Sequence, residues 1–209
     1  MNESPNHISE TLDEKTVAHD PLIEFQWWLD RAIAAGFPLP EAMTLATSTK
    51  EGKPSARLVL LKQADERGFV FFTNYESSKA RDLDANPFAA LVFYWPQLER
   101  QVRVEGTVAR TSPAESDEYF KTRPRESQLG ALASPQSKVV ENREVLEQRF
   151  RELDELYRER AVERPAHWGG YRLAPQRIEF WKGRPGRLHD RILYERQADG
   201  TWTIKRLAP

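Results

Sequence analysis

Between Ala42 and Arg110 the sequence passes through five short β-rich runs, at 43–49, 55–62, 68–74, 88–95 and 101–110, with Gly52, Gly68, Asn86-Pro87 and Pro96 as punctuation. Runs of this length between turn-forming residues predict strands with short connections. Five in succession point to an antiparallel barrel or a strongly curled sheet, an architecture that limits exposed strand edges. Three further strand-like runs, 176–182, 191–196 and 201–207, end the chain, the last two joined at Asp199-Gly200.

Helices flank this frame. Asp20-Pro21 supplies an N-cap and a first-turn proline, and Ile23, Trp27 and the alanine and isoleucine positions to Ile33 give an apolar stripe that stops at Gly36. A short helical stretch is expected at 78–85. Ser112-Pro113-Ala114-Glu115 has the form of a capping box for a helix through Tyr119 toward Lys121, ended by Pro124. Ser134-Pro135 is expected to open a longer helix to about Glu163, with Leu146, Phe150, Leu153 and Tyr157 on one face and a solvated, ion-paired Glu/Arg face opposite. The fold class is mainly β with helices (α+β): an antiparallel barrel with an N-terminal helix and a late helical insertion. A length of 209 residues suits one domain, over 20–209, and the polar stretch 1–19 reads as a flexible arm.

Composition excludes several functions. The 31 basic and 32 acidic residues nearly cancel, so binding to nucleic acid or a membrane surface has no electrostatic support. The absence of cysteine removes disulfides, thiolate catalysis and the usual iron–sulfur sites, and the four histidines, at 7, 19, 167 and 189, argue against a histidine-rich metal centre. No run is long and apolar enough to cross a bilayer, which predicts a cytoplasmic protein.

On such a neutral chain local cation clusters stand out. Arg187-Leu188-His189-Asp190-Arg191 holds two guanidiniums and an imidazole in five residues, and Trp181 just before it offers a flat indole for a planar ligand. Arg57-Leu58-Val59-Leu60-Leu61-Lys62 reads as a strand buried on both faces with cationic ends. Alternation sends Arg57 and Lys62 to opposite faces, so they do not grip one anion as a simple pair. Thr73 and Asn74, then Ser77, Ser78 and Lys79 at a helix start, make a phosphate cradle, although plain helix capping explains the serines as well. Tyr119, Arg123 and Ser127 are spaced four apart across Pro124, so two bent helical turns can converge a phenol, a guanidinium and a hydroxyl on a phosphate-sized anion. Gln101 has an amide suited to a heterocycle edge. Dinucleotide, Walker, zinc-protease and serine-hydrolase motifs are missing.

These motifs occur in a specific order. Arg57 to Lys62, then Glu99-Arg100-Gln101-Val102-Arg103-Val104-Glu105-Gly106, Arg123-Pro124-Arg125-Glu126-Ser127-Gln128-Leu129-Gly130-Ala131, Pro135-Gln136-Ser137, Ile178-Glu179-Phe180-Trp181 and Arg187 to Arg191 resemble pyridoxine/pyridoxamine 5'-phosphate oxidases from residue 20 to the C-terminus. The resemblance implies an FMN-binding split barrel, a homodimer with flavin at the interface, and oxidation of pyridoxine or pyridoxamine 5'-phosphate to pyridoxal 5'-phosphate with O2 as acceptor. It implies FMN contacts from Arg57, Leu58, Val59, Leu60, Leu61, Lys62, Phe72, Thr73, Ser78, Lys79, Gln101, Gln136, Ser137, Trp181 and Arg191. The substrate phosphate falls to Lys62, Tyr119, Arg123 and Ser127, with Arg187 and His189 as catalytic groups over the pyridine ring. Ser78 stands where many members carry a basic residue. The rival readings are a related flavin oxidase of the phenazine-pathway type and a non-catalytic carrier of FMN or pyridoxal phosphate.

Overall fold

A computed structural model describes residues 12–209. Its sheet has nine strands: β1 (Ala42–Ser48), β2 (Pro54–Leu60), β3 (Gln63–Asp65), β4 (Gly68–Asn74), β5 (Phe88–Trp95), β6 (Arg100–Arg110), β7 (Trp168–Lys182), β8 (Asp190–Arg196) and β9 (Trp202–Arg206). The main path runs β2-β1-β5-β6-β7-β4-β3, every pair antiparallel. The long strand β7 gives its first half to β4 and its second to β8, which carries β9. Where β6 bends between Glu105 and Gly106, the Ala174 carbonyl oxygen would stand 2.0 Å from a side chain at 106, so only glycine fits. After β2 the chain crosses the opening of the sheet: Leu61 N–H donates to Glu41 O and Lys62 N–H to Val70 O. The curl expected from the short strands is present.

Helix α1 (Pro21–Ala34) starts on the Asp20 cap, whose carboxylate accepts from Leu22 N–H. Its buried stripe differs from the expected one. Phe25, Trp28, Leu29 and Ala32 face the core at helical spacing, whereas Ile23 and Ile33 are exposed. Phe25 meets the rings of Phe69 and Phe93 at centroid distances of 5.0 and 4.9 Å, and Trp28 meets Phe180 at 5.1 Å. The flexible arm expected over 1–19 lies outside the described residues for 1–11. Over 12–19 the chain is instead fixed, because Leu12 and Val17 are buried, buried Glu24 accepts from Ala18 N–H, and Tyr194 Oη donates to Ala18 O.

The remaining helices are α2 (Ser78–Ala85), α3 (Pro113–Thr122), α4 (Arg125–Ala133) and α5 (Arg143–Leu156). The capping box at Ser112 and Glu115 forms in both directions. The long helix from Ser134 does not. Residues 134–142 form a loop, and α5 starts at an Asn142 cap, since Pro135 and the left-handed Ser137 (φ 72°) interrupt helical geometry. Phe120, Leu129, Val162 and Trp168 make a second core beneath these helices, with Phe72, Tyr119 and Phe150 packed against it.

Candidate functional site

Strand β2 corrects the sequence reading that matters most for the site. It is an edge strand, not one buried on both faces: Leu58 is 72% exposed and Val59 and Leu60 are half-buried. Its apolar side chains form one wall of a cleft of about 650 Å³ between the barrel and α3–α4. This size falls in the range of small-molecule sites.

The cleft gathers residues from distant segments. Leu58, Val59, Leu60 and Lys62 come from β2 and its exit, Phe72 and Thr73 from β4, Lys79 from α2, Tyr119, Arg123 and Ser127 from the α3–α4 bend, and Gln136 from the following loop. Pro124 keeps Arg123 extended (φ −71°, ψ 145°) and so makes the bend. The spacing of Tyr119, Arg123 and Ser127 therefore converges on one cavity despite the broken helical register.

Lys79 is only 9% exposed, and its ammonium donates to Thr73 Oγ1 (3.1 Å), Gln136 Oε1 (3.0 Å) and Ser77 Oγ (3.4 Å). All three acceptors are neutral. Burial, with a smaller contribution from the nearby Arg57 charge, lowers its pKa below the ordinary lysine value. Arg123 is likewise lowered by burial, and its Nη1 is buried without a hydrogen-bond partner. Among the described residues no carboxylate comes within ion-pair distance of Lys62, Lys79 or Arg123. A buried cation with no counter-charge is costly to the free protein. The cost is offset if an anion occupies the cleft.

Other expected residues lie outside this cleft. Arg57 turns to Thr47 Oγ1 (2.7 Å), Leu45 O and Ser55 Oγ, with Asp82 at 3.9 Å. Leu61 is buried in the barrel core. Ser77, not Ser78, caps α2 by accepting from Ala80 N–H, and the Ser78 hydroxyl accepts from Arg81. Ser137 follows Gln136 on the exposed loop.

Gln101, Trp181 and Arg191 stand in one row across β6, β7 and β8, paired Gln101 to Trp181 and Trp181 to Arg191. His189 brings its ring 4.7 Å from Trp181 and accepts from Arg184 N–H through Nδ1. Arg187, in a left-handed conformation (φ 63°), is exposed beside them. The sequence motifs thus separate into a cleft and a second cluster at the far end of β7. Trp168, which lines the cleft, escaped sequence reading because Gly169-Gly170 and Pro175 disguised the first half of β7. Those glycines are required by close packing: a side chain at 169 would meet Tyr75 Oη at 2.1 Å and one at 170 would meet Thr111 Oγ1 at 2.5 Å.

Two family matches cover most of the chain. Residues 29–157, which hold all the cleft residues except Trp168, match the pyridoxamine 5'-phosphate oxidase family. Residues 168–209, which hold β7 to β9, match the pyridoxine 5'-phosphate oxidase C-terminal dimerisation region. The chain is 58% identical over 203 residues to the pyridoxine/pyridoxamine 5'-phosphate oxidase of Microcystis aeruginosa, covering 97% of this chain and 94% of the relative. Among solved structures it is similar to PhzG from Burkholderia lata in complex with tetrahydrophenazine-1-carboxylic acid (TM-score 0.90, 31% identity, 96% and 98% coverage). A pyridoxamine 5'-phosphate oxidase-related, FMN-binding protein of Nostoc punctiforme shares the fold (TM-score 0.72, 17% identity, 92% and 100% coverage). On the family matches and the identity across nearly the whole chain, this protein belongs to the pyridoxine/pyridoxamine 5'-phosphate oxidase family.

Proposed function

We propose that this chain binds FMN and oxidises pyridoxine 5'-phosphate and pyridoxamine 5'-phosphate to pyridoxal 5'-phosphate, using O2 and releasing H2O2. The observation that carries this reading is the trio Lys62, Lys79 and Arg123, cations of one cleft with no carboxylate partner among the described residues. Two phosphate monoesters, one on each ligand, supply the missing charge. The donor set fits FMN: a buried ammonium among neutral acceptors suits the flavin phosphate, and the apolar wall of Leu58, Val59 and Leu60 suits its ring.

In this reading Lys79, Thr73 and Gln136 hold the flavin phosphate, with Ser137 and the main chain of 57–62 along the cofactor. Lys62, Arg123, Tyr119 and Ser127 bind the substrate phosphate and set the distance of the reacting carbon from the flavin. When bound, FMN would supply the electron chemistry of this two-electron oxidation at the substrate C4', with O2 as the final acceptor. The alcohol gives the aldehyde directly; the amine gives an imine that water hydrolyses with release of ammonia.

The cluster at the far end of β7 acts through a second copy. A two-fold dimer presents each surface twice, so the row Gln101, Trp181 and Arg191 of one protomer closes the cleft of the other. The C-terminal dimerisation match and exposed Leu188 at the same end support this assembly. Arg187 and His189 then orient the pyridine ring.

The test is spectroscopic. The purified protein, or the protein after addition of FMN, is expected to show flavin absorbance and to bleach when pyridoxine 5'-phosphate is added without oxygen. A flavin that stays oxidised with that substrate but bleaches with tetrahydrophenazine-1-carboxylic acid assigns the chain to the chemistry of its structural neighbour. A yellow protein bleached by neither is a carrier, and failure to take up FMN ends the flavin reading.

A further inference from the structure

Arg123 is held in the cleft by π-faces. Its guanidinium carbon stands 4.5 Å from the centroid of Trp168 and 5.5 Å from that of Phe120. We propose that Trp168 is a positioning residue for phosphate recognition: its indole fixes the Arg123 guanidinium while leaving the charge and N–H donors of that group for an incoming phosphate monoester. The proposal rests on reading the cleft as a phosphate site.

A long arginine side chain loses rotamer freedom when it is fixed, so a site that must hold it ready needs a partner in the free protein. A carboxylate would serve, but it would meet the phosphate with its own negative charge. An aromatic face attracts the cation through its quadrupole and brings no net charge. The segment leading into β7 contains the contrasting arrangement. Arg164, four residues before Trp168, is fixed by Asp117 at 2.6 Å and by the Trp168 carbonyl at 2.6 Å, and its charge is thereby neutralised. Arg123 has no such partner, and its Nη1 is buried and unpaired.

Trp168 is itself firmly placed. Its backbone N–H donates to Pro165 O at 3.0 Å, its backbone pairs with Asn74 at the end of β4, and its ring stacks on Phe72 at 5.4 Å and meets Phe120 edge-on at 5.1 Å. Gly169 and Gly170, next along the strand, pack closely against Tyr75 and Thr111. A rigid indole makes a pre-organised seat.

The experiment uses the FMN-loaded protein and reads two quantities: KM and kcat with pyridoxine 5'-phosphate, and the dissociation constant of inorganic phosphate by calorimetry. Contacts of this kind correspond to about 2- to 30-fold in affinity. Trp168→Leu is expected to raise KM and the phosphate dissociation constant about 10-fold, with kcat falling less than about 3-fold; Trp168→Phe is expected to restore both constants to within about 3-fold. In an Arg123→Ala background the Trp168 substitutions are expected to have no further effect on either constant. Should Trp168→Leu fail to fold, the cycle is run with Trp168→Phe and the smaller effect must still vanish without Arg123. Equal losses in kcat, flavin content and KM, or an effect of Trp168 that persists undiminished without Arg123, overturn the proposal. Arg123→Ala with unchanged phosphate affinity would instead remove the phosphate reading itself, a different failure from neutral Trp168 variants beside a damaging Arg123→Ala.

Discussion

The cleft and the C-terminal sheet both carry clustered cations, and the two regions treat them in opposite ways. On β6 to β9 each of several basic groups meets an acid: Arg103 contacts Glu105 and Glu179, Arg177 contacts Glu105 and Glu195, Arg191 contacts Glu179, Lys205 contacts Glu195, and Arg206 contacts Glu14 and Asp190. In the cleft, Lys79 meets neutral oxygens, Arg123 meets aromatic rings, and Lys62 is exposed with no carboxylate beside it among the described residues. These paired charges receive their counter-charge from the fold, whereas Arg100 on β6 rests on the Trp28 ring with a buried, unpaired Nη1. A charge kept without one is available to a ligand, and the protein bears the desolvation cost until the ligand arrives.

The sharpest way to break this contrast is to remove one cation from each region. Arg123→Ala is expected to raise KM for pyridoxine 5'-phosphate on the order of 100-fold, since a charge-assisted contact to phosphate is lost, while the melting temperature changes little. Steady-state kinetics and a thermal melt on the same preparation check both halves. A large drop in melting temperature with unchanged KM would put Arg123 among the structural charges.

Lys79→Met comes next. Fluorescence titration should find FMN affinity reduced about 30-fold, while the apoprotein melts no lower than the parent, because Thr73 Oγ1 can still donate to Gln136 Oε1 at 3.0 Å and a buried ammonium has been removed. Glu179→Ala should do the reverse. This buried carboxylate accepts from Arg103 and Arg191, and its loss leaves Arg191 without a carboxylate and Arg103 with Glu105 alone, at a destabilisation of about 1–3 kcal/mol, or a few degrees in a chain of this length. Arg191 links the two regions: the Glu179 hydrogen bond raises its pKa and also fixes the row that includes Trp181. Some loss of flavin affinity alongside the lower melting temperature would sharpen the role of that row.

The sequence made the cleft more legible than the helices around it. Punctuated β runs located most strands because turns and side-chain alternation are local properties. The edge position of β2 was hidden, since Leu58-Val59-Leu60-Leu61 has the composition of a buried strand and only the sheet order exposes Leu58. In α1, Phe25, Trp28 and Leu29 compete with Ile23 and Ile33 for the core, and tertiary packing decides between two apolar stripes. Trp168 carried no motif at all. Its importance lies in its distance from Arg123, which no spacing along the chain encodes.

The smallest expected effect follows from the lowered pKa of Lys79. Burial puts the folded-state value below the ordinary 10.5, because it penalises the charged form, and while the ammonium is charged its burial weakens the fold. As pH rises through the lowered folded value, the native protein releases this proton first while the unfolded chain keeps its own. Stability attributable to Lys79 therefore increases until the unfolded value is passed. Thermal melts of the parent and of Lys79→Met, both as apoprotein, should show their difference moving in favour of the parent over that alkaline window. Saturating phosphate should suppress the trend, because an anion in the cleft holds the proton on Lys79. A difference that stays constant with pH would mean that Lys79 is neutralised from within, as Arg191 is by Glu179, and the contrast between the two regions would then rest on Arg123 and Lys62.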